Sequence, residues 1–229
     1  MNLQTQTRPA TEVLKEAAEE HAGRVVLTTS FGAEDQVITD IIAREGLGIT
    51  LVTLDTGRLF PETYELWAET EKRYGIRVRA YVPEQEALET LVNGRGISLY
   101  REGIEERRIC CRVRKLEPLA RALAGVEAWV TGLRREQSVT RSEVEQVEWN
   151  EDYKLYKLNP LVDWSEEDVW RYIGAYDVPY NPLHDRGYPS IGCACCTRAV
   201  KRTEDIRAGR WWWEQPEHKE CGLHHRPRH

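Results

Sequence analysis

An α/β fold, with a parallel sheet and helices on both faces, is what this chain of 229 residues predicts. Two observations carry that expectation. Short apolar runs alternate with amphipathic ones from residue 24 to residue 131, and helix-start signals stand where the amphipathic runs begin. Residues 24–29 (RVVLTT) read as a buried strand and 34–44 (EDQVITDIIAR) as a helix. A second strand follows at 49–54 (ITLVTL), then a helix at 61–74 with Pro61 in its first turn, where its missing N–H costs nothing. Residues 76–82 (IRVRAYV) predict a third strand, 84–92 a helix and 127–131 (EAWVT) a further strand. Residues 164–174 predict another helix, with Ser165 as N-cap. The stretch 178–196 is rich in Pro, Gly and Tyr and reads as an ordered loop; beyond Lys201 a short helix, a tryptophan run and a polar tail are expected. The division is one α/β domain over 1–200 and a C-terminal segment over 201–229.

Composition excludes several classes. With 41% hydrophobic and 31% charged residues the chain reads as an ordinary globular domain, and it has no apolar run near the roughly 20 residues of a membrane span. The N-terminus is a polar lead followed by an amphipathic helix pattern, unlike an export signal, so a cytoplasmic protein is expected. A net charge of −6 argues against a nucleic-acid binder. Arginine is locally dense at 107, 108, 112 and 114 and again at 134, 135 and 141, which suits a small anionic ligand.

The cysteines carry the sharpest signal. Cys110 and Cys111 are adjacent, Cys193 and Cys196 form a C-x-x-C pair, and Cys221 stands in an E-C-G-L-H tail. Two pairs far apart in sequence can give four thiolates to one centre, zinc or iron–sulfur. The alternative for Cys110-Cys111 alone is two buried cysteines beside a solvated basic face. A fifth thiol near the terminus is free to act as a nucleophile, and His224 could lower its pKa. If residues 111–115 are helical, Cys111 and Lys115 share a face at i, i+4, placing a positive charge beside the centre. Arg207 and Arg210, at i, i+3, could face an anion, whereas the Trp211–Trp213 run reads as buried aromatic packing.

In parallel sheets ligands sit beyond the carboxyl ends of the strands. The loops to inspect are Ser30-Phe31-Gly32-Ala33-Glu34-Asp35, Leu54-Asp55-Thr56-Gly57-Arg58 and the run from Gly132 through Leu133 and Arg134 to Arg141. A small-residue loop at a helix start can cradle a phosphate, though an ordinary strand–helix turn uses the same residues. Asp55 is as well suited to capping its own loop as to gripping a nucleotide.

Taken together, S-F-G-A-E-D, L-D-T-G-R, C-C-R-V-R-K, T-G-L-R-R-E-Q-S, Y-P-S-I-G-C-x-x-C-T-R, R-A-G-R-W-W-W and K-E-C-G-L-H resemble the assimilatory sulfonucleotide reductases. The match is closest to the iron–sulfur branch that reduces adenosine 5′-phosphosulfate (APS), and it runs from about Val25 to His224. The resemblance implies a Rossmann-like, PP-loop-type adenine-nucleotide-binding fold with a mobile C-terminal tail. It implies that Cys221 attacks the sulfur of APS, that AMP leaves, and that thioredoxin cleaves the resulting S-sulfocysteine to sulfite. Cys110, Cys111, Cys193 and Cys196 are implied to hold a [4Fe–4S] cluster, with Lys115 bridging it and the sulfate electrostatically. Arg207, Arg210 and His224 are implied around the sulfate, and Ser30, Phe31, Gly32, Glu34, Leu54, Gly132, Leu133 and Arg134 at the nucleotide; Asp55, Gly57 and Arg58 complete that expected set. Where that family usually has proline before the second cysteine of C-x-x-C, this chain has Cys195. No membrane or nucleic-acid partner is implied, and a homo-oligomer is compatible with the chain.

Three rivals stand beside this reading. One is a reductase of the 3′-phosphorylated substrate PAPS, or of both substrates, for which Arg58 or Arg135 could meet the extra phosphate. Another is a non-catalytic iron–sulfur nucleotide sensor, which has no use for Cys221. The last is a PP-loop pyrophosphatase, which expects S-G-G-x-D-S in place of residues 30–35.

Overall fold

A computed structural model describes residues 8–138, 141, 143–201 and 203–215. The elements run in chain order as α1 (Ala10–Glu20), β1 (Val25–Thr29), α2 (Ala33–Arg44), β2 (Thr50–Leu54), α3 (Pro61–Tyr74), β3 (Arg79–Tyr81) and α4 (Gln85–Arg95). They continue with α5 (Ile104–Cys111), α6 (Glu117–Ala122), β4 (Ala128–Val130), β5 (Val147–Asn150), β6 (Leu155–Leu158) and α7 (Glu166–Tyr176). The six strands lie in the order β3-β2-β1-β4-β6-β5. β1 runs parallel to β4 and β4 parallel to β6, while β5 closes the edge antiparallel to β6. The expected parallel α/β architecture is therefore observed, with one antiparallel edge strand added. Between β1 and β4 the strand order reverses direction, which makes their carboxyl ends the crevice where ligands of such sheets bind.

The chain forms two compact units interleaved in sequence, one of residues 1–52, 66–78 and 125–181 and the other of 53–65, 79–124 and 182–229. The first unit contains the main core. Val25, Leu27, Ala128, Val130 and Leu158 from the strands meet Val37, Ile38 and Ile41 of α2 and Val169 and Ile173 of α7. Strand residues buried on both faces explain why Val25, Val26 and Leu27, and Ala128, Trp129 and Val130, are apolar in succession rather than alternating. At α7, Ser165 is the N-cap as expected: its hydroxyl accepts from the Asp168 N–H at 3.1 Å while Asp168 accepts in return from the Ser165 N–H at 2.9 Å.

Four expectations need correction. β3 covers only Arg79–Tyr81, because Val78 turns its N–H to Glu71 Oε1 at 2.8 Å instead of to a neighbouring strand. β5 and β6 were not expected. Residues 112–116 form a π-helical turn, wider than the helix expected there, before Pro118 restarts an α-helix in its first turn. Residues 203–213 make turns and no helix; Trp211 is buried with φ of +39°, Trp212 is exposed and Trp213 half-buried. Among the described residues no helix is long and apolar enough to cross a membrane.

Candidate functional site

Two groups of candidate residues take shape, one in each unit. In the first unit the loop after β1 is held by its own side chains. The Ser30 N–H and hydroxyl both donate to Asp35 Oδ2, at 2.7 and 2.8 Å. Phe31 adopts a left-handed backbone, φ +58°, which a bulky residue rarely does. It is kept there by its N–H donating to Thr29 Oγ1 at 2.9 Å and by its ring stacking on Trp67 at 5.6 Å. Strain fixed in this way is a mark of functional loops. The Phe31 side chain lies in the core, so only its backbone is offered to a ligand.

Across the switch point the loop after β4 closes on the same place. Arg134, 2% exposed, donates its Nε to Glu34 Oε1 at 2.8 Å and its Nη1 to the Trp164 carbonyl at 3.2 Å. Gly132 is required there: a Cβ would stand 2.5 Å from Asp35 Oδ1 and 3.0 Å from Glu34 Cβ. Leu133 packs with Val144 and Val162, anchoring the loop from below. Burial pushes the Asp35 carboxyl up to about 6, against the lowering effect of the Ser30 hydrogen bonds. Ser30, Phe31, Gly32, Glu34, Gly132, Leu133 and Arg134 are thus brought together. Asp35, named in the loop but not among the expected binding residues, ties that group to the helix; a second acidic residue directly after Glu34 at the helix start was the available signal.

The second unit holds the cysteines. Cys110, Cys111, Cys193 and Cys196 are all buried, and none forms a disulfide. Cys110, Cys193 and Cys196 share one apolar cluster with Leu91, Leu99, Tyr100 and Trp211. The one-turn 3-10 helix Ala194–Cys196 sets the second pair, since side chains three apart eclipse on such a turn. Thr56 Oγ1 and Cys193 Sγ are hydrogen-bonded at 3.2 Å. Burial raises the Cys110 thiol, and Arg58 and Arg114 pull the other way. Lys115 does the same for Cys196.

Arg114 itself is buried. Its Nη1 donates to the Thr56 carbonyl at 2.6 Å, its Nε has no partner, and among the described residues it meets no carboxylate. Four buried thiols facing surplus positive charge fit an anionic polythiolate group. Among the described residues no three His, Cys, Asp or Glu side chains converge as one metal ion requires. Four buried thiols supplied by two pairs are the donor chemistry that zinc or an iron–sulfur cluster takes.

Cys195 is half-buried outside that set, its Sγ 3.8 Å from Cys196 Sγ and 3.7 Å from Arg58 Nη1. A hydrogen bond from the Cys196 thiol, with Arg58 in support, brings Cys195 down to about 5. Arg58 also donates to the Ile97 carbonyl and lies over the Tyr100 ring at 5.0 Å. Arg135 pairs with Asp163 and donates its Nε to the Val144 carbonyl at 2.9 Å. Neither arginine is therefore spare, as the PAPS alternative had supposed. Asp55 caps its own turn, accepting from the Gly57 N–H at 2.8 Å and the Tyr64 hydroxyl at 2.7 Å. Gly57, φ +68°, makes that turn, and a Cβ there would stand 3.7 Å from Arg114 Nη1. Leu54 ends β2. Arg210 is buried over the Trp211 ring at 4.7 Å and donates to the Ile191 carbonyl at 3.2 Å. The Arg207 N–H donates to Asp205 at 2.8 Å. Cys221 and His224 lie outside the described residues.

Comparison with known proteins agrees with this layout. Residues 24–199 match the phosphoadenosine phosphosulfate reductase domain model. The chain is 55% identical to the adenosine 5′-phosphosulfate reductase of Allochromatium vinosum, over 98% of this chain and 87% of that one. It is 50% identical to the protein of the same name from Burkholderia cepacia, over 93% and 84%. Among solved structures, the phosphoadenylyl-sulfate (PAPS) reductase of Candida auris, in a phosphate complex, superposes with a TM-score of 0.72 at 32% identity, covering 84% of this chain and 91% of that one. On the strength of a domain match spanning both strand-end loops and the second cysteine pair, this chain belongs to the phosphoadenosine phosphosulfate reductase family.

Proposed function

We propose that the protein reduces APS to sulfite and AMP, with Cys221 as nucleophile and thioredoxin as electron donor. The observation that supports this most directly is the combination of four buried thiols with a buried arginine that meets no carboxylate among the described residues, in a chain 50–55% identical to proteins named APS reductase. In the first unit the nucleotide meets the loop 30–34 and the run 132–134. Backbone N–H groups at the start of α2 face its phosphate, and the Glu34–Arg134 pair holds the two loops in register.

The thiolate of Cys221 attacks the sulfur of APS. An S–S bond forms, the bridging S–O bond breaks, and AMP leaves with the electron pair. One thiol of thioredoxin then attacks the Cys221 sulfur, sulfite departs with the bonding pair, and the second thiol resolves the mixed disulfide. The two electrons that reduce the sulfonate come from that dithiol. Thiolate attack on an anion is repulsive, and fixed cations offset the repulsion without reorganising. Lys115, Arg207 and Arg210 fill that role, and His224 steadies the thiolate. Cys110, Cys111, Cys193 and Cys196 would hold a [4Fe–4S] cluster, which would supply a fixed electrostatic environment rather than electrons. In this division residues 1–200 bind and polarise, and 201–229 carry the reactive thiol, in the cytoplasm where thiols stay reduced.

APS is favoured over PAPS because the relatives at 50–55% identity bear the APS name while the PAPS reductase stands at 32%. The engagement of Arg58 and Arg135 with protein groups agrees with that choice. Sulfite release from APS and from PAPS, each at limiting concentration with thioredoxin, tests it. A kcat/KM for PAPS equal to or above that for APS contradicts the assignment.

A further inference from the structure

The run 210–214 ends seven residues before Cys221, and it is fastened to both cysteine pairs. On one side the Trp211 N–H donates to the Cys196 carbonyl at 3.1 Å, and Thr197 bridges to Arg210. On the other, Arg107 of α5 grips Glu214 with both ends of its fork, Nε to Oε1 at 2.9 Å and Nη2 to Oε2 at 2.7 Å. The two side chains are 1% and 2% exposed. The same guanidinium lies over the Trp211 ring at 4.7 Å and reaches the Cys111 thiol. Arg107 therefore touches, at once, a cysteine of the first pair, the strained Trp211 and the residue seven positions before the expected nucleophile.

A pair buried this deeply is a poor device for stability. Desolvating both ions costs about as much as their attraction returns, and apolar replacements of similar volume are often neutral or stabilising. A bidentate fork does, however, fix geometry, because carboxylate and guanidinium must be coplanar and in register. Building on the reading of Cys221 as nucleophile, we propose that Arg107 and Glu214 are positioning residues that set the root of the catalytic segment on the cysteine-bearing helix. The chain between Glu214 and Cys221 spans at most about 25 Å. Fixing the root confines the Cys221 sulfur to that reach of the cysteine-bearing helix, and holding a reacting group near its target is worth orders of magnitude in rate.

The test replaces the pair by Arg107→Met with Glu214→Leu in the full chain, purified anaerobically. Thermal midpoint, iron content, AMP affinity and the rate of sulfonate adduct formation from APS are then measured. The expected result is a folded, iron-loaded protein that binds AMP like wild type and forms the adduct at least about tenfold more slowly. An adduct rate within threefold of wild type overturns the proposal, and so does loss of iron, which would assign the pair to the thiol centre instead. If the double variant does not fold, Glu214→Asp keeps the charges and shortens one arm. A slowed adduct rate with iron retained then upholds the proposal, and an unchanged rate overturns it. Wild type forming no adduct at all contradicts the reading of Cys221 itself, whatever the variants do.

Discussion

Arg134 and Arg114 are both buried guanidinium groups, and the protein treats them differently. Arg134 is matched at once by Glu34 at 2.8 Å and by Glu136 at 3.6 Å. Arg114 finds a backbone carbonyl and, among the described residues, no carboxylate. A buried charge is costly unless an opposite charge attends it. The strand-end loops of the first unit supply their own counter-charges. In the second unit the groups that Arg114 acts on are thiols, Cys110 among them. On the proposed function, one region is organised by the chain alone and the other is completed by the group its thiols take.

The largest effect that tests this contrast comes from Cys193→Ser. Iron content and visible absorbance fall, and sulfite formation drops by ~100-fold or more, as expected for lost coordination. AMP affinity stays within about threefold of wild type, because Ser30, Glu34 and Arg134 do not depend on the thiols. Titration calorimetry with AMP and an iron assay on the same sample check both halves. Loss of AMP binding together with iron would dissolve the distinction between the regions.

Arg134→Ala makes the reciprocal change. It strands Glu34, and breaking one side of a buried pair destabilises by about 3 kcal/mol. Chemical denaturation should show that loss and calorimetry a weakened AMP site, while iron content is unchanged. Equal AMP affinity in the variant would remove Arg134 from the nucleotide site.

A smaller, pH-dependent effect belongs to Asp35. Its folded pKa is raised from 3.8 to about 6, so the fold favours the protonated form. The stability this contributes is full below about pH 4 and is lost as the pH rises through about 6, a swing on the order of 3 kcal/mol. Asp35→Asn, which cannot ionise, should therefore gain stability relative to wild type between about pH 4 and pH 7. Urea midpoints measured across that range check the slope, and a constant difference would show that Asp35 does not titrate there.

The same contrast explains what could be read from the sequence. The loops after β1 and β4 were legible because apolar strands two-side buried in a parallel sheet announce their own ends. The cysteine pairs were legible because thiols in two distant pairs have few other uses. β5 and β6 were overlooked because each is four residues long and polar in part. Lys157 is buried in β6 beside Glu148 at 3.1 Å and the Trp129 ring at 5.6 Å, partners that no local pattern reveals. The π-helical turn at 112–116 was invisible for a related reason, since its extra residue per turn leaves no periodic trace in five residues. The Arg107–Glu214 pair joins positions 107 residues apart, so a dense arginine cluster was visible but the partner of any one arginine was not.

The account turns on Cys221 being the atom that takes the sulfonate. Intact mass spectrometry of anaerobic wild type and Cys221→Ser, each mixed with APS and no reductant, tests it most directly. The predicted result is a gain of one SO₃ on wild type alone, discharged as sulfite when thioredoxin is added. An adduct on Cys221→Ser, or none on wild type that binds APS, would contradict it.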